Sequence, residues 1–302
     1  MLPSPSIRTR RLAAVAGFVA VAGLVLTGCA GEPSPVTKAV AGVTSATPSP
    51  VSTTVSSIQP ATGSVSGDGT VTITGSNLSS VAAVTIGGQQ AVVQQASPEK
   101  VVAVVPPAQN FQAGTVPVQV TAKNGAPVAS GGVAYTYQVS TPVDRQLAYA
   151  MAHWNNYNTA QYGDLNPVGG DCANFVSQTL IARGWTMNGD WYNHNAAASW
   201  SPAWGYVPAM DSYFRANATQ LGLTEHPLDQ RADIKVGDIV MFDWNNNDSL
   251  DHVQIVSGVK TVNGQIKILM AGHNTDSDYR DLDQAITVDH PGAGGHFWSL
   301  SK

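Results

Sequence analysis

Charge is scarce in this 302-residue chain and cysteine scarcer: charged residues make up 12%, and the two cysteines are Cys29 and Cys172. The little charge present is uneven. Between Val51 and Ser140 only Asp68, Glu99, Lys100 and Lys123 carry any, and that stretch has neither Trp nor His. From Thr141 onward lie all seven Trp, all seven His, 17 of the 20 acids and nine of the 15 bases. A chain with no basic footprint is not built to neutralise phosphates, which excludes a nucleic-acid partner. The contrast between the halves implies two domains of different character. Long apolar runs are also lacking: the stretch Leu12 to Leu26 is short for a membrane span.

That run follows Arg8, Arg10 and Arg11, the pattern of an export signal. Its end, Leu26-Thr27-Gly28-Cys29, resembles a bacterial lipobox. The resemblance implies that residues 1–28 are a lipoprotein signal peptide and that Cys29 is lipidated, holding the exported protein on the outer face of the cell membrane. Cys172 is then left without a disulfide partner in its own chain. Residues 29–54, rich in Ala, Ser, Thr and Pro, cannot build a core and read as a tether.

Residues 55–138 read as short strands of period two. Val71 and Ile73 alternate with threonines, Val84 and Ile86 run into the Gly87-Gly88 turn, and Val116, Val118 and Val120 alternate up to the Asn124-Gly125 turn. The segments "SIQPATGSVSGDGTVTITGSNL", "VTIGGQQA" and "VAYTYQ" resemble an IPT/TIG domain, which implies an all-β immunoglobulin-like sandwich serving as spacer or docking module.

The second domain, residues 142–302, opens on a helix signal: Thr141 as N-cap, Pro142 in the first turn, Asp144 completing a capping box, and Leu147, Met151 and Trp154 on one face. A second helix is expected from Cys172, with Asp171 as its cap, Val176 and Leu180 following at four-residue spacing, and Gly184 ending it. A thiol at a helix start sits where backbone N–H groups and the macrodipole favour thiolate. Those N–H groups could also stabilise an oxyanion, whereas an ionised Asp171 close by would oppose thiolate formation.

A thiol nucleophile needs a base, and His252 in "LDHVQIVSGV" is the best candidate. It begins a strand that places His252, Gln254 and Val256 on one face, with Val253 and Ile255 on the other. The next strand follows the Asn263-Gly264 hairpin signal, and a regular ladder from that turn sets Gln254 opposite His273 and Val253 opposite Asn274. His273 then shares the face of His252 and can orient it, with Asn274 in reserve. A single bulge, for which Ser257-Gly258 is the evident site, reverses the choice.

In order, "YAMAHWNNYN", "GGDCANFVSQTLIARGW", "WYN", "SW", "VGDIVMFDWN" and "DHVQIV" resemble the putative amidase domain of bacterial secreted proteins, a family similar to the NlpC-type, papain-like cysteine peptidases. The resemblance implies an α+β domain with a nucleophile helix packed on an antiparallel sheet. It further implies Cys172 as nucleophile, His252 as general base and His273 as the polar third residue, with no cofactor. Arg183-Gly184-Trp185 stands where family members often have Gly-Gly-Trp. The expected activity is thiolate attack on an amide bond through an acyl-enzyme, on cell-wall peptide or another envelope substrate, by a monomer anchored to the membrane through its lipid. Two other readings share these residues: an acyltransferase in which an amine resolves the acyl-enzyme, and an inactive adhesion or scaffold lipoprotein.

Among the aromatics, Trp185, Trp191 and Trp200 are candidates for a substrate cleft. A calcium loop in "DWNNNDSLDH" fails, because Asp248 stands at the glycine position and Gln254 at the twelfth. Asp276, Asp278, Asp281 and Asp283 read as a solvated acidic loop, and His194, His226, His290 and His296 as surface or packing residues.

Overall fold

The computed structural model describes residues 52–301. The expected signal peptide, the expected lipidation site Cys29 and nearly all of the expected tether lie outside the described residues. Alternating valines, isoleucines and threonines build an all-β first domain of nine strands: β1 Thr54–Gln59, β2 Thr62–Ser64, β3 Thr70–Ser76, β4 Val81–Ile86, β5 Gln89–Ala96, β6 Lys100–Val104, β7 Gly114–Ala122, β8 Pro127–Val128 and β9 Ala134–Gln138. They follow the order β1-β3-β6-β5-β4-β7-β9-β2, with β8 on β7. The apolar member of each alternation turns inward, so Val71, Ile73, Val84, Ile86, Val118 and Val120 are all buried. Gly87 and Gly88 take the positive φ that the β4–β5 hairpin requires.

In the second domain, helices α1 Pro142–His153, α2 Thr159–Tyr162, α3 Cys172–Arg183, α4 Pro202–Gly205 and α5 Val207–Leu221 accompany a six-stranded antiparallel sheet. A small hairpin of β10 Asn193–His194 and β11 Ser199–Trp200 precedes α4. The sheet strands are β12 Leu223–Pro227, β13 Ile239–Asp243, β14 His252–Val262, β15 Gln265–Gly272, β16 Ser277–Asp281 and β17 Gly294–Leu300, in the order β12-β17-β13-β14-β15-β16. One face, with Ile239, Met241, Val253, Ile255 and Ala271, packs on the helices. The other, with Val240, Phe242, Val256, Met270 and Phe297, is covered by Leu282 and Ala285 from the turn after β16.

Helix α1 begins as its sequence predicts, with a reciprocal capping box between Thr141 and Asp144. The Asp144 carboxylate does more than cap. It is fully buried and also accepts from Ser64 Oγ at 2.5 Å and Ser66 N at 3.1 Å, which ties the second domain to the first. Helix α3 is buried on nearly every side and not on one stripe; Asn174, Ser177, Gln178 and Thr179 are inside as fully as Phe175 and Val176. Burial of polar groups on this scale requires partners. Ser177 donates to the Trp204 carbonyl and accepts from Trp191 Nε1, Asn174 accepts from Trp204 Nε1, and Gln178 accepts from the Tyr149 hydroxyl.

Asn263 and Gly264 both have positive φ, and the ladder between β14 and β15 starts from Val262↔Gln265 as a regular hairpin predicts. It holds as far as Gly258↔Leu269, then shifts by one residue at Ser257, so that Val256 pairs with Met270 and Ile255 with Ala271. This bulge overturns the regular register. His273, just past β15, falls in line with Val253 on the helix-facing side and not with His252.

Candidate functional site

Helix α3 starts at Cys172 because the chain before it cannot be helical: Gly169 and Gly170 have φ of 132° and 133°. Asp171 occupies the N-cap position but makes no side-chain cap bond. Its carboxylate turns away, accepting from Leu165 N and Asn174 Nδ2, both at 2.8 Å. The cap comes from a hundred residues downstream, where Asn274 Oδ1 accepts from Asp171 N at 2.6 Å and Cys172 N at 2.8 Å. Gly170 permits this approach, since a Cβ there would lie 3.2 Å from Asn274 Oδ1. The paired glycines before Asp171-Cys172 were the signal of a close approach, although nothing local names Asn274 as the visitor.

The thiol is 7% exposed and lines a cleft of about 370 Å³ with Gly169, Gly170, Trp200, Tyr206, Leu250 and Asp251. Burial pushes the Cys172 thiol up to about 11; the N–H groups of Val253 and Ala173, directed at sulfur, work the other way, and the Asp171 charge adds to the rise. In this conformation the thiol is therefore protonated at neutral pH. The Cys172 N–H, expected to be open to an oxyanion, is taken by Asn274.

His252 begins β14, the strand that packs on α3, yet its ring lies on the sheet's other face. It pairs across the ladder with Phe242, and its ring stacks near Trp244 at 5.6 Å between centroids. Its Nε2 is buried without a hydrogen-bond partner. Burial, with Arg280 and His290 adding positive charge nearby, lowers its pKa to about 3, so the imidazole is neutral.

His273 does not orient His252. Its Nδ1 lies 2.6 Å from Asp171 Oδ2 and its Nε2 2.9 Å from the His153 carbonyl oxygen, so both ring nitrogens are engaged elsewhere. Asn274, held in reserve for the same role, is the trans cap of α3. The bulge at Ser257 turned His273 to the helix side and left His252 on the other; Asn274 fails for a different reason, since the chain leaves the ladder in a left-handed turn there and its side chain is spent on the start of α3.

Of the three tryptophans expected at a cleft, only Trp200 lines this one. Trp191 is fully buried, with its Nε1 on Ser177, and Trp185 packs edge-on to Trp191 and Phe214 away from the thiol. Tyr206, from the same aromatic-rich segment, joins Trp200 at the rim and is half exposed. The acidic run 276–283 is partly committed to partners: Asp276 accepts from Tyr157, and Asp283 pairs with Arg231 and Lys267. His296 is buried against Asp211, and His290 stacks on Trp244. Among the described residues no helix is long and apolar enough to cross a membrane.

Among solved structures, the chain is similar to the plexin A4 extracellular region, at 25% identity over 29% of this chain and 9% of that one, with a TM-score of 0.26. An auxiliary nutrient binding protein of Bacteroides ovatus aligns at 24% identity over 30% of this chain and 22% of its own, with a TM-score of 0.23. A Bacteroides ovatus protein of a mixed-linkage glucan utilization locus aligns at 13% identity over 79% and 49%, with a TM-score of 0.22. The chain thus spans between about a tenth and half the length of these structures. No curated protein matches it. Residues 53–137 match the IPT/TIG domain, and residues 142–298, just over half the chain, match the family described as putative amidase domain. The chain belongs to the putative amidase domain family, with an IPT/TIG domain ahead of the domain that defines it.

Proposed function

We propose that residues 142–302 form a cysteine-dependent hydrolase of amide bonds, acting on peptide or another amide-bearing substrate of the cell envelope from a lipid-anchored position. The observation that carries this reading is the placement of Cys172: the one thiol among the described residues sits at the first residue of a helix and lines a cleft.

The catalytic cycle in this reading begins with a turn of the backbone at the start of β14 that carries the His252 imidazole from beside Trp244, on the sheet's far face, to the thiol. His252 takes the thiol proton, and sulfur adds to the amide carbonyl carbon. Collapse breaks the C–N bond as the imidazolium returns its proton to the leaving amine. Water then cleaves the thioester, giving a carboxylate and the free thiol. Trp200 and Tyr206 supply apolar wall to the bound acyl chain, and Asp251 is the cleft's one formal charge.

Release of new amino groups from isolated wall peptides tests the proposal: Cys172→Ala and His252→Ala are each expected to abolish it, and full activity in either variant would overturn it. A second reading, a catalytically silent scaffold, draws on the partnerless His252 Nε2 on the far face of the sheet. Under that reading the wild-type protein releases nothing from any wall fraction. An acyltransferase would instead give products carrying an added amine, visible by mass.

A further inference from the structure

We infer that His273 is a positioning residue for Cys172 that acts through Asp171, clamping the carboxylate beside the thiol and supplying the positive charge that offsets it. This rests on the reading of Cys172 as nucleophile, and it replaces the sequence-based role of His273 as orienter of His252.

Asp171 and His273 are both fully buried. The Asp171 carboxylate is spent on the protein: Oδ1 takes the Leu165 and Asn174 donors, and Oδ2 faces His273 Nδ1 at 2.6 Å. At the other end of the ring, Nε2 faces the His153 carbonyl at 2.9 Å. With Asp171 ionised, the carboxylate and the carbonyl both only accept, and a ring that satisfies both donates at each nitrogen; this doubly protonated form is the one we assign to His273. A buried carboxylate without such a partner would be costly.

The ring has little freedom to leave. Tyr157 stacks on it with centroids 3.6 Å apart, Phe175 closes the other side at 4.3 Å, and Tyr157 is itself fixed by its hydroxyl on Asp276. The consecutive pair 273–274 therefore grips Asp171 twice, the His273 ring holding its carboxylate and the Asn274 side-chain oxygen accepting from its backbone N–H. Unopposed, the Asp171 charge disfavours thiolate at Cys172. Other ionisable groups around these residues are Tyr149 behind Asp171, His153 stacked beside Tyr149, Asp276 behind Tyr157 and Asp251 across the cleft, while the His252 ring lies on the sheet's other face. None of them meets the Asp171 carboxylate as His273 does.

The test is the rate of Cys172 alkylation by iodoacetamide at about pH 7, which needs no substrate. His273→Gln strands the Asp171 charge, and the expected rate is about tenfold slower than wild type, equivalent to a shift of about one pH unit. Asp171→Asn removes that charge and should label faster than wild type. The double variant Asp171→Asn/His273→Gln should return to within about threefold of wild type, a compensation that loss of packing alone does not produce. Faster labelling in His273→Gln, or no recovery in the double variant, overturns the inference. If His273→Gln does not fold, 15N-edited NMR of the wild type decides: two ring N–H signals from His273 at pH 7 support the ion pair, and one bare ring nitrogen overturns it. Absence of any amidase activity would refute the proposed reaction while leaving these readouts intact.

Discussion

Asn274 caps the helix that Cys172 begins, its Oδ1 lying 2.8 Å from the Cys172 N–H across 102 residues of sequence. Asn274 itself has φ of 65°, a left-handed conformation that Asn and Gly tolerate and Ala does not. Asn274→Gly keeps the turn but removes the cap, together with the bond from Asn274 Nδ2 to Asn166 Oδ1, and should cost about 1 kcal/mol. Asn274→Ala adds backbone strain and should cost about 1 kcal/mol more. Thermal melts of the two variants check the order; equal losses would mean that the cap, and not the turn, carries everything.

Trp200 and Trp191 separate cleft from core. Trp191→Ala empties a fully buried site and leaves Ser177 without its indole donor, so a loss of about 3–5 kcal/mol is expected in denaturant unfolding. Trp200→Ala should leave unfolding nearly unchanged and raise KM for an amide substrate several-fold, since it lines the cleft beside the thiol.

Asp144 joins the two domains and sets an acid limit. Burial pushes its carboxyl up, but the donors of Ser64, Ser140, Thr141 and Ser66 outweigh that and hold it at about 2, below the ordinary 3.8. A depressed carboxyl stabilises the fold above the unfolded value and loses that contribution as pH falls through the folded one. Asp144→Ala should therefore lower the melting temperature clearly at pH 7, and the gap from wild type should close between about pH 4 and pH 2. A gap that persists at pH 2 would show that volume, not charge, is responsible.

His252 sets a second limit by the same logic. Its folded pKa of about 3 lies below the ordinary 6.5, so the unfolded chain binds its proton first and stability falls as pH drops from about 6.5 toward 3. His252→Gln should make the protein more resistant to unfolding at pH 4 to 5 relative to pH 7. NMR titration of the wild type should find the ring neutral down to about pH 4 while the protein stays folded.

Much of the architecture was local and so legible in the residues. Thr141, Pro142 and Asp144 start α1 through contacts within four residues, and Gly184 ends α3 in the left-handed conformation its lack of a Cβ allows. Asn263-Gly264 sets the hairpin for the same reason, and the alternation of Val253 and Ile255 against His252 and Gln254 follows from the pleat. Neighbours along the chain thus suffice to put a lone cysteine at a helix start and His252 at the opening of a nearby strand. Which side chains meet depends on the packed fold. Ser257-Gly258 marked where a bulge could sit, but whether the extra residue is inserted depends on how the strands pack, and at Ser257 it turned His273 from the face of His252 to Asp171. The same holds for α3, whose polar residues look solvated in sequence and are buried because partners as distant as Trp191 and Trp204 satisfy them. Local propensity reaches a few residues along the chain, whereas burial and hydrogen-bond partnership across a hundred are set by the packed fold.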